Sequence, residues 1–569
     1  MLKSKITAIC IVLILFLTFK RVHSNLGTKA FLENDDLVVT LANPIGKIRG
    51  HILQSQNEND IYAFQDVPYA QPPIGQNRFK PPIGLNNWDG IVDTTSNTKI
   101  CPQMPKSIST IVTGLIETED CLVLNIYSPV QPGSDSSLPV YFWIHGGSFF
   151  EGSGGISQFN PKYFLDQNIV VVTVNYRLGA LGFLTLNDNN IPGNLGIKDQ
   201  NLALKWVSEN IHLFGGNPNN VVLGGEGSGA VSVGYHLLSK SSKGLFSAAI
   251  QQSGSSLYIF GNQIGYRDRA FELGRRVNSS FNSNNNTELM EHLQSVPFSD
   301  IIRAQAGFRS NEKIGFLKGE YWKPVVEDPD NPDSFVTGPM LEDFENGNFN
   351  LVPVLMGYNS EESLREFLAT DEEEYESDAK KVDQLPSLIA NDKLNIPQKN
   401  KAKAGKAIKA IYTESKFLGN KTAFVRYSSD VAYIHPLLRQ AEATAKYTPV
   451  YLYKFSYSLE DSVIEGTGKV GHGVDLAYFW DSPVVPAVTV DENIRKSLVK
   501  FWVNFINNKN PTPSEDPDIQ NIIWPKVDTQ EFKFINIDEI FTIETDPKRQ
   551  YKEVKEVLQQ YLMQPFNVY

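Results

Sequence analysis

Three segments in the first half of the chain are apolar along nearly their whole length: Val140-Tyr141-Phe142-Trp143-Ile144, Ile169-Val170-Val171-Val172-Thr173-Val174 and Val221-Val222-Leu223. A strand with one wet face alternates apolar and polar residues. These do not, so each needs cover on both faces. Between them lie glycine turns and stretches of helical periodicity such as residues 201–211. Buried strands alternating with helices imply an α/β architecture: a large, mostly parallel, twisted central sheet with helices on both faces. Runs at 352–356 and 450–454 are placed to complete that sheet, and 551–562 repeats apolar residues at three and four, as a packed terminal helix does. The polar stretch 278–400, which contains SNNNTE and DEEEYESD, reads as surface excursions, and no fixed-period repeat occurs.

The formal net charge of −12 argues against a nucleic-acid partner, because phosphate binding needs a concentrated basic surface. The lysine-rich run at 400–412 has helical spacing and reads as a solvated helix face. At the N-terminus, Lys3 and Lys5 precede an apolar run ending at Phe19, followed by Val22-His23-Ser24. That is the pattern of a secretory signal peptide over residues 1–24, cleaved after Ser24, and it is too short to span a bilayer. No later segment is apolar enough to span one, so the expected mature protein, residues 25–569, is secreted or lumenal. Cys10 leaves with the signal, and Cys101 and Cys121 remain as an even pair in an oxidising compartment. One disulfide between them contributes about 3 kcal/mol in the chain-entropy model. Sequons at Asn278, Asn285 and Asn420 suit the same compartment.

A series of motifs runs from about residue 35 to residue 530: Phe64-Gln65-Asp66-Val67-Pro68-Tyr69-Ala70 with Arg78-Phe79, Glu119-Asp120-Cys121-Leu122, Trp143-Ile144-His145-Gly146-Gly147-Ser148-Phe149, Asn175-Tyr176-Arg177-Leu178-Gly179, Gly193-Asn194-Leu195-Gly196, Asn359-Ser360-Glu361-Glu362 and Gly471-His472-Gly473-Val474-Asp475. Together and in this order they resemble the type-B carboxylesterase family, the cholinesterase-like branch of the α/β-hydrolase fold. The resemblance implies one domain over 25–569, no cofactor and no metal, and its first disulfide matches Cys101 and Cys121.

Enzymes of that family attack a carbonyl carbon with a serine that a histidine deprotonates, the histidine being oriented by a buried carboxylate. By resemblance the base is His472 and the acid Glu362, with spacing favouring Glu362 over its neighbour Glu361. The oxyanion-hole amides map to Gly147, Ser148 and Ser228, where Ser148 replaces a glycine, and Ser363 replaces another glycine after the acid. The nucleophile turn should read G-x-S-x-G. The chain has LGGEGSGA (residues 223–230). With Gly227 at the centre, Gly225 and Gly229 fall in place and no serine stands at the tip. With Ser228 at the centre both glycines are lost, because the flanking residues are Glu226 and Ala230. The glycines let strand and helix approach closely, so they fix the register and put Gly227 at the nucleophile position.

Loss of a triad serine costs on the order of 10⁶ in turnover. The expected protein is therefore a secreted family member without normal esterase activity, acting as a binding, adhesion-like or storage and matrix protein. Its partner would be another protein or a small ester or lipid held in the gorge, and a non-covalent homodimer is open. The alternative is a working carboxylic ester hydrolase that uses Ser228. A choline substrate is disfavoured, since the loop between Cys101 and Cys121 has no aromatic residue to supply a cation–π face.

Overall fold

The computed structural model describes residues 37–55, 57–104, 112–308, 321–460, 464–483, 489–528, 530–547 and 549–569; the expected signal peptide, with Cys10, lies outside them. The apolar segments form strands of one eleven-stranded sheet. In chain order the strands are β1 (His51–Gln54), β2 (Asp60–Pro68), β3 (Val123–Ser128), β4 (Leu138–Ile144), β5 (Val170–Val174), β6 (Gly216–Glu226), β7 (Ala248–Gln252), β8 (Val354–Asn359), β9 (Val450–Phe455), β10 (Phe534–Ile537) and β11 (Thr542–Glu544). Across the sheet they run β1-β2-β3-β5-β4-β6-β7-β8-β9-β10-β11. Every pairing from β5 to β10 is parallel, and antiparallel strands close both edges.

The helices that matter below are α1 (Leu195–Asn210), α2 (Ser228–Leu238), α3 (Gln398–Tyr412), α4 (Lys421–Ser429), α5 (His435–Thr444), α6 (Glu492–Asn508) and α7 (Tyr551–Tyr561). Tyr141 and Trp143 of β4, Val222 of β6, Ile250 of β7 and Tyr453 of β9 share one apolar cluster with Trp502 and Phe505 of α6. The alternate residues Phe142 and Ile144 are equally buried, and α1 and α2 pack on β6. The sheet is covered on both faces, as its unbroken apolar runs demand.

Several motif residues turn out to be structural. Arg78 pairs with Glu119 at 2.6 Å, and Arg177 with Asp199 at 2.6 Å, both pairs buried. Cys101 and Cys121 form a disulfide. Replacing both by serine is expected to lower unfolding stability by about 2–4 kcal/mol, read from urea unfolding with midpoint and m fitted separately, since loss of the cross-link also expands the unfolded chain.

The lysine-rich helix departs from expectation. Lys403 and Lys406 of α3 are exposed, but Lys401 is buried against Asp392 and Lys409 pairs with Asp383 at 2.6 Å. Asp383 and Asp392, from the segment just before the helix, lie against that face, which periodicity within the helix alone does not reveal. The helix α7 turns Tyr551, Val554 and Leu558 inward and packs on α3.

Candidate active site: a catalytic frame around a glycine

The strand order reverses between β4 and β6, so the chain leaves their carboxyl ends in different directions, the position at which open α/β sheets carry their sites. Ile144 ends β4 beside Gly225 of β6. The loop 145–149 therefore runs next to the turn from β6 into α2.

That turn explains the two glycines. A Cβ on Gly229 would lie 2.1 Å from the Ile144 carbonyl oxygen, and one on Gly225 would lie 2.5 Å from the Gly229 backbone. Neither fits without moving main chain. Gly227 sits at the tip with φ 56° and ψ −120°, a conformation strained for any residue with a Cβ. Its space is different: a Cβ there would meet only the His472 ring, at 3.0 Å from Nε2.

His472 Nδ1 hydrogen-bonds Glu362 Oε2 at 2.8 Å, and the His472 backbone N–H donates to the Glu362 carbonyl. The other Glu362 oxygen accepts from Asn359 N at 2.7 Å. Glu361 points elsewhere, to Arg549 at 2.9 Å. The two adjacent glutamates thus have separate partners, and Glu362 is the one joined to His472. Ser363 has an ordinary negative φ and shares a hydrogen bond with Ser428 at 2.9 Å, so this position does not require a glycine's backbone freedom.

On its other side His472 Nε2 lies 3.0 Å from Glu226 Oε1, at ion-pair distance but off the axis of a hydrogen bond. Burial alone would pull the imidazole down, but Glu226 and Glu362 hold its pKa up at about 9. Burial pushes the Glu226 carboxyl up to about 7, and it also raises Asp475, which is held by Asn359 and Gln252. The Tyr433 ring packs on His472 with centroids 4.9 Å apart.

Ser228, the first residue of α2, is buried. Its Oγ accepts from Phe149 N at 3.2 Å, which directs the hydroxyl at the 145–149 loop. Ser148 and Phe149 both have left-handed backbone, φ 55° and 62°. The buried Lys323 ammonium donates to the Ser148 carbonyl at 2.6 Å, so the peptide between Ser148 and Phe149 is held at both ends. Gly147 lies beside it with φ 103°, and a Cβ there would meet the Glu151 carbonyl.

Sequence reasoning did not find Glu226 as a partner of His472, nor Lys323 or Tyr433. Glu226 was visible only as the residue before the tip, and nothing local marks the other two. The sequons Asn278, Asn285 and Asn420 are exposed; Asn285 and Asn420 cap helices through their side-chain oxygens. Among the described residues no group of three His, Cys, Asp or Glu is placed to hold a metal, and no helix is long and apolar enough to cross a membrane.

The model of the carboxylesterase family matches residues 35–555. Venom carboxylesterase-6 of Apis mellifera is 30% identical over 536 residues, covering 90% of this chain and 92% of its own. Juvenile hormone esterase of Tribolium castaneum is 30% identical over 530 residues, covering 87% and 86%. The crystal structure of juvenile hormone esterase from Manduca sexta, with OTFP covalently attached, superposes with a TM-score of 0.78 at 25% identity over 92% of this chain and 100% of that one. With the sheet order, the buried motif ion pairs and the family match agreeing along nearly the whole length, the chain belongs to the cholinesterase-like, type-B carboxylesterase family and has its α/β-hydrolase fold.

Proposed function

We propose that this protein is a secreted member of the family that does not perform acyl transfer, and that it acts by binding. One observation carries the reading: the backbone turn that presents the nucleophile ends in Gly227, which has no side chain, while the hydroxyl next to it, Ser228 Oγ, accepts from Phe149 N. Without a nucleophile the acyl-enzyme cannot form. What remains is the roughly 10³–10⁴-fold rate over water that oxyanion donors and binding alone supply. In this reading Gly147, Ser148 and Ser228 are the oxyanion-hole positions, Glu362 and His472 are the acid and base positions, and the gorge holds a small ester or lipid, or serves a protein partner. The exposed sequons and the disulfide support export, as does kinship with a venom carboxylesterase. Any self-association through α7 would use its outer face, since Tyr551, Val554 and Leu558 are buried in its own chain.

The competing reading, ester hydrolysis through Ser228, draws on the intact Glu362–His472 hydrogen bond. Purified protein incubated with an organophosphate, and separately with OTFP, decides between them by peptide mass spectrometry. No adduct on residues 223–238 is expected, and short-chain nitrophenyl esters should turn over no faster than with a Ser228→Ala variant. An adduct on Ser228, with activity that Ser228→Ala abolishes, would establish the competing reading.

A further inference from the structure

The acid–base pair needs an explanation once its nucleophile is gone. His472 has carboxylates on both ring nitrogens: Glu362 on Nδ1 at 2.8 Å and Glu226 near Nε2 at 3.0 Å. Both carboxylates are buried, Glu362 1% and Glu226 5% exposed, and they come from separate segments, the end of β6 and the loop after β8. The space at Gly227 is also accounted for, because a Cβ placed there would already crowd the ring.

We infer that His472 is a structural cation in this chain: an imidazolium that stands where a nucleophile's side chain would project and bridges Glu226 to Glu362, with Glu226 its positioning residue. The inference rests on Gly227 being the nucleophile position. It follows from the cost of the alternative. A neutral imidazole would leave Glu226 either a buried anion without a cation or an acid that has taken the proton itself, with its Oε1 off the axis of any hydrogen bond; buried charges persist only when paired. The other groups around the ring add to the same balance. Asp475 contributes a third acid that favours the charged ring. Arg365 donates to the His472 carbonyl at 3.3 Å and opposes it weakly. Tyr433 offers a ring face, which favours a cation. In this state His472 has no free base to offer a substrate at neutral pH, so the retained dyad serves the fold. The bridge is strongest between about 7, below which Glu226 takes up a proton, and about 9, above which His472 loses its own.

Diethyl pyrocarbonate tests this, because it acylates only neutral imidazole and the His472 side chain is 31% exposed. The full chain is treated across pH 6–10 (a range of about 4 units around the ordinary value), and the His472 peptide is followed by mass spectrometry. At pH 7.5 its rate should be about 30-fold below that of an ordinary histidine, from the difference between 6.5 and about 9. The rate should climb with an inflexion near the upper value, and Glu226→Gln should move the inflexion down and raise the rate at pH 7.5 by about tenfold or more. An inflexion near 6.5, a pH-independent rate, or no response to Glu226→Gln would overturn the inference; if that variant does not fold, the unmodified chain's profile decides by itself. Adduct formation on residues 223–238 is read on a different peptide, so the functional reading and the bridge stand or fall separately.

Discussion

Gly227→Ser is expected to convert the protein into a measurable esterase, raising hydrolysis of a short-chain nitrophenyl ester by about 10²–10⁴ and creating a site for organophosphate labelling. The upper bound for restoring a complete triad is on the order of 10⁶. The shortfall has two structural causes. The new Cβ would stand 3.0 Å from His472 Nε2, so the ring must retreat by a few tenths of an ångström before the hydroxyl can share its proton. The ring must also loosen its pairing with Glu226 to act as a base. The gain should therefore steepen toward alkaline pH, as His472 loses its proton. The same substitution places a side chain at φ 56° and should cost about 1–3 kcal/mol of stability. Activity and thermal unfolding measured on one preparation test both halves. A variant that folds and is labelled by neither organophosphate nor OTFP would remove Gly227 from the nucleophile position.

Arg549→Met is expected to be the most damaging single change outside that turn, with a loss of about 3–5 kcal/mol. Arg549 binds Asp430 Oδ1 at 2.6 Å and Glu361 Oε1 at 2.9 Å, and both carboxylates are fully buried. Burial pushes Asp430 up to about 7 even with the guanidinium beside it. Methionine would keep the apolar stem and leave two acids uncompensated. The sign with pH follows: without Arg549 the folded state takes up protons more readily, so the deficit should shrink as pH falls from 8 toward 5 (a span of about 3 units). Urea unfolding at the two ends of that range measures it. Asp430 opens the π-helical turn Asp430–Ile434 that carries Tyr433 to His472, so the same variant should also speed the reaction of diethyl pyrocarbonate with that histidine.

The fold was legible because it rests on runs such as 140–144 and 170–174, whose unbroken apolar character dictates burial on both faces irrespective of what covers them. The register proposed for the turn rests on a related constraint. Gly225 and Gly229 answer to backbone contacts with β4, so their spacing carries information that the lone Ser228 does not. Spacing favoured Glu362 over Glu361, and Glu362 is the one bonded to His472, but the reason for two glutamates lay out of sight: Arg549 is 188 residues from Glu361. Lys323 reaches a loop 175 residues away, and Lys401 finds Asp392 through a bend between helices. Such pairings obey no period along the chain. The long-range ones follow from the order in which strands are laid into the sheet, and only the assembled sheet reveals them.

The two glycines flanking the tip have a consequence for heredity. They let strand and helix approach closely through main-chain contacts that do not involve the side chain at the tip. A change from a serine codon AGT to the glycine codon GGT alters a single base, and at this backbone conformation it relaxes the main chain. Chemistry in such a scaffold can be switched off or on by one point mutation, without passing through a form that fails to fold.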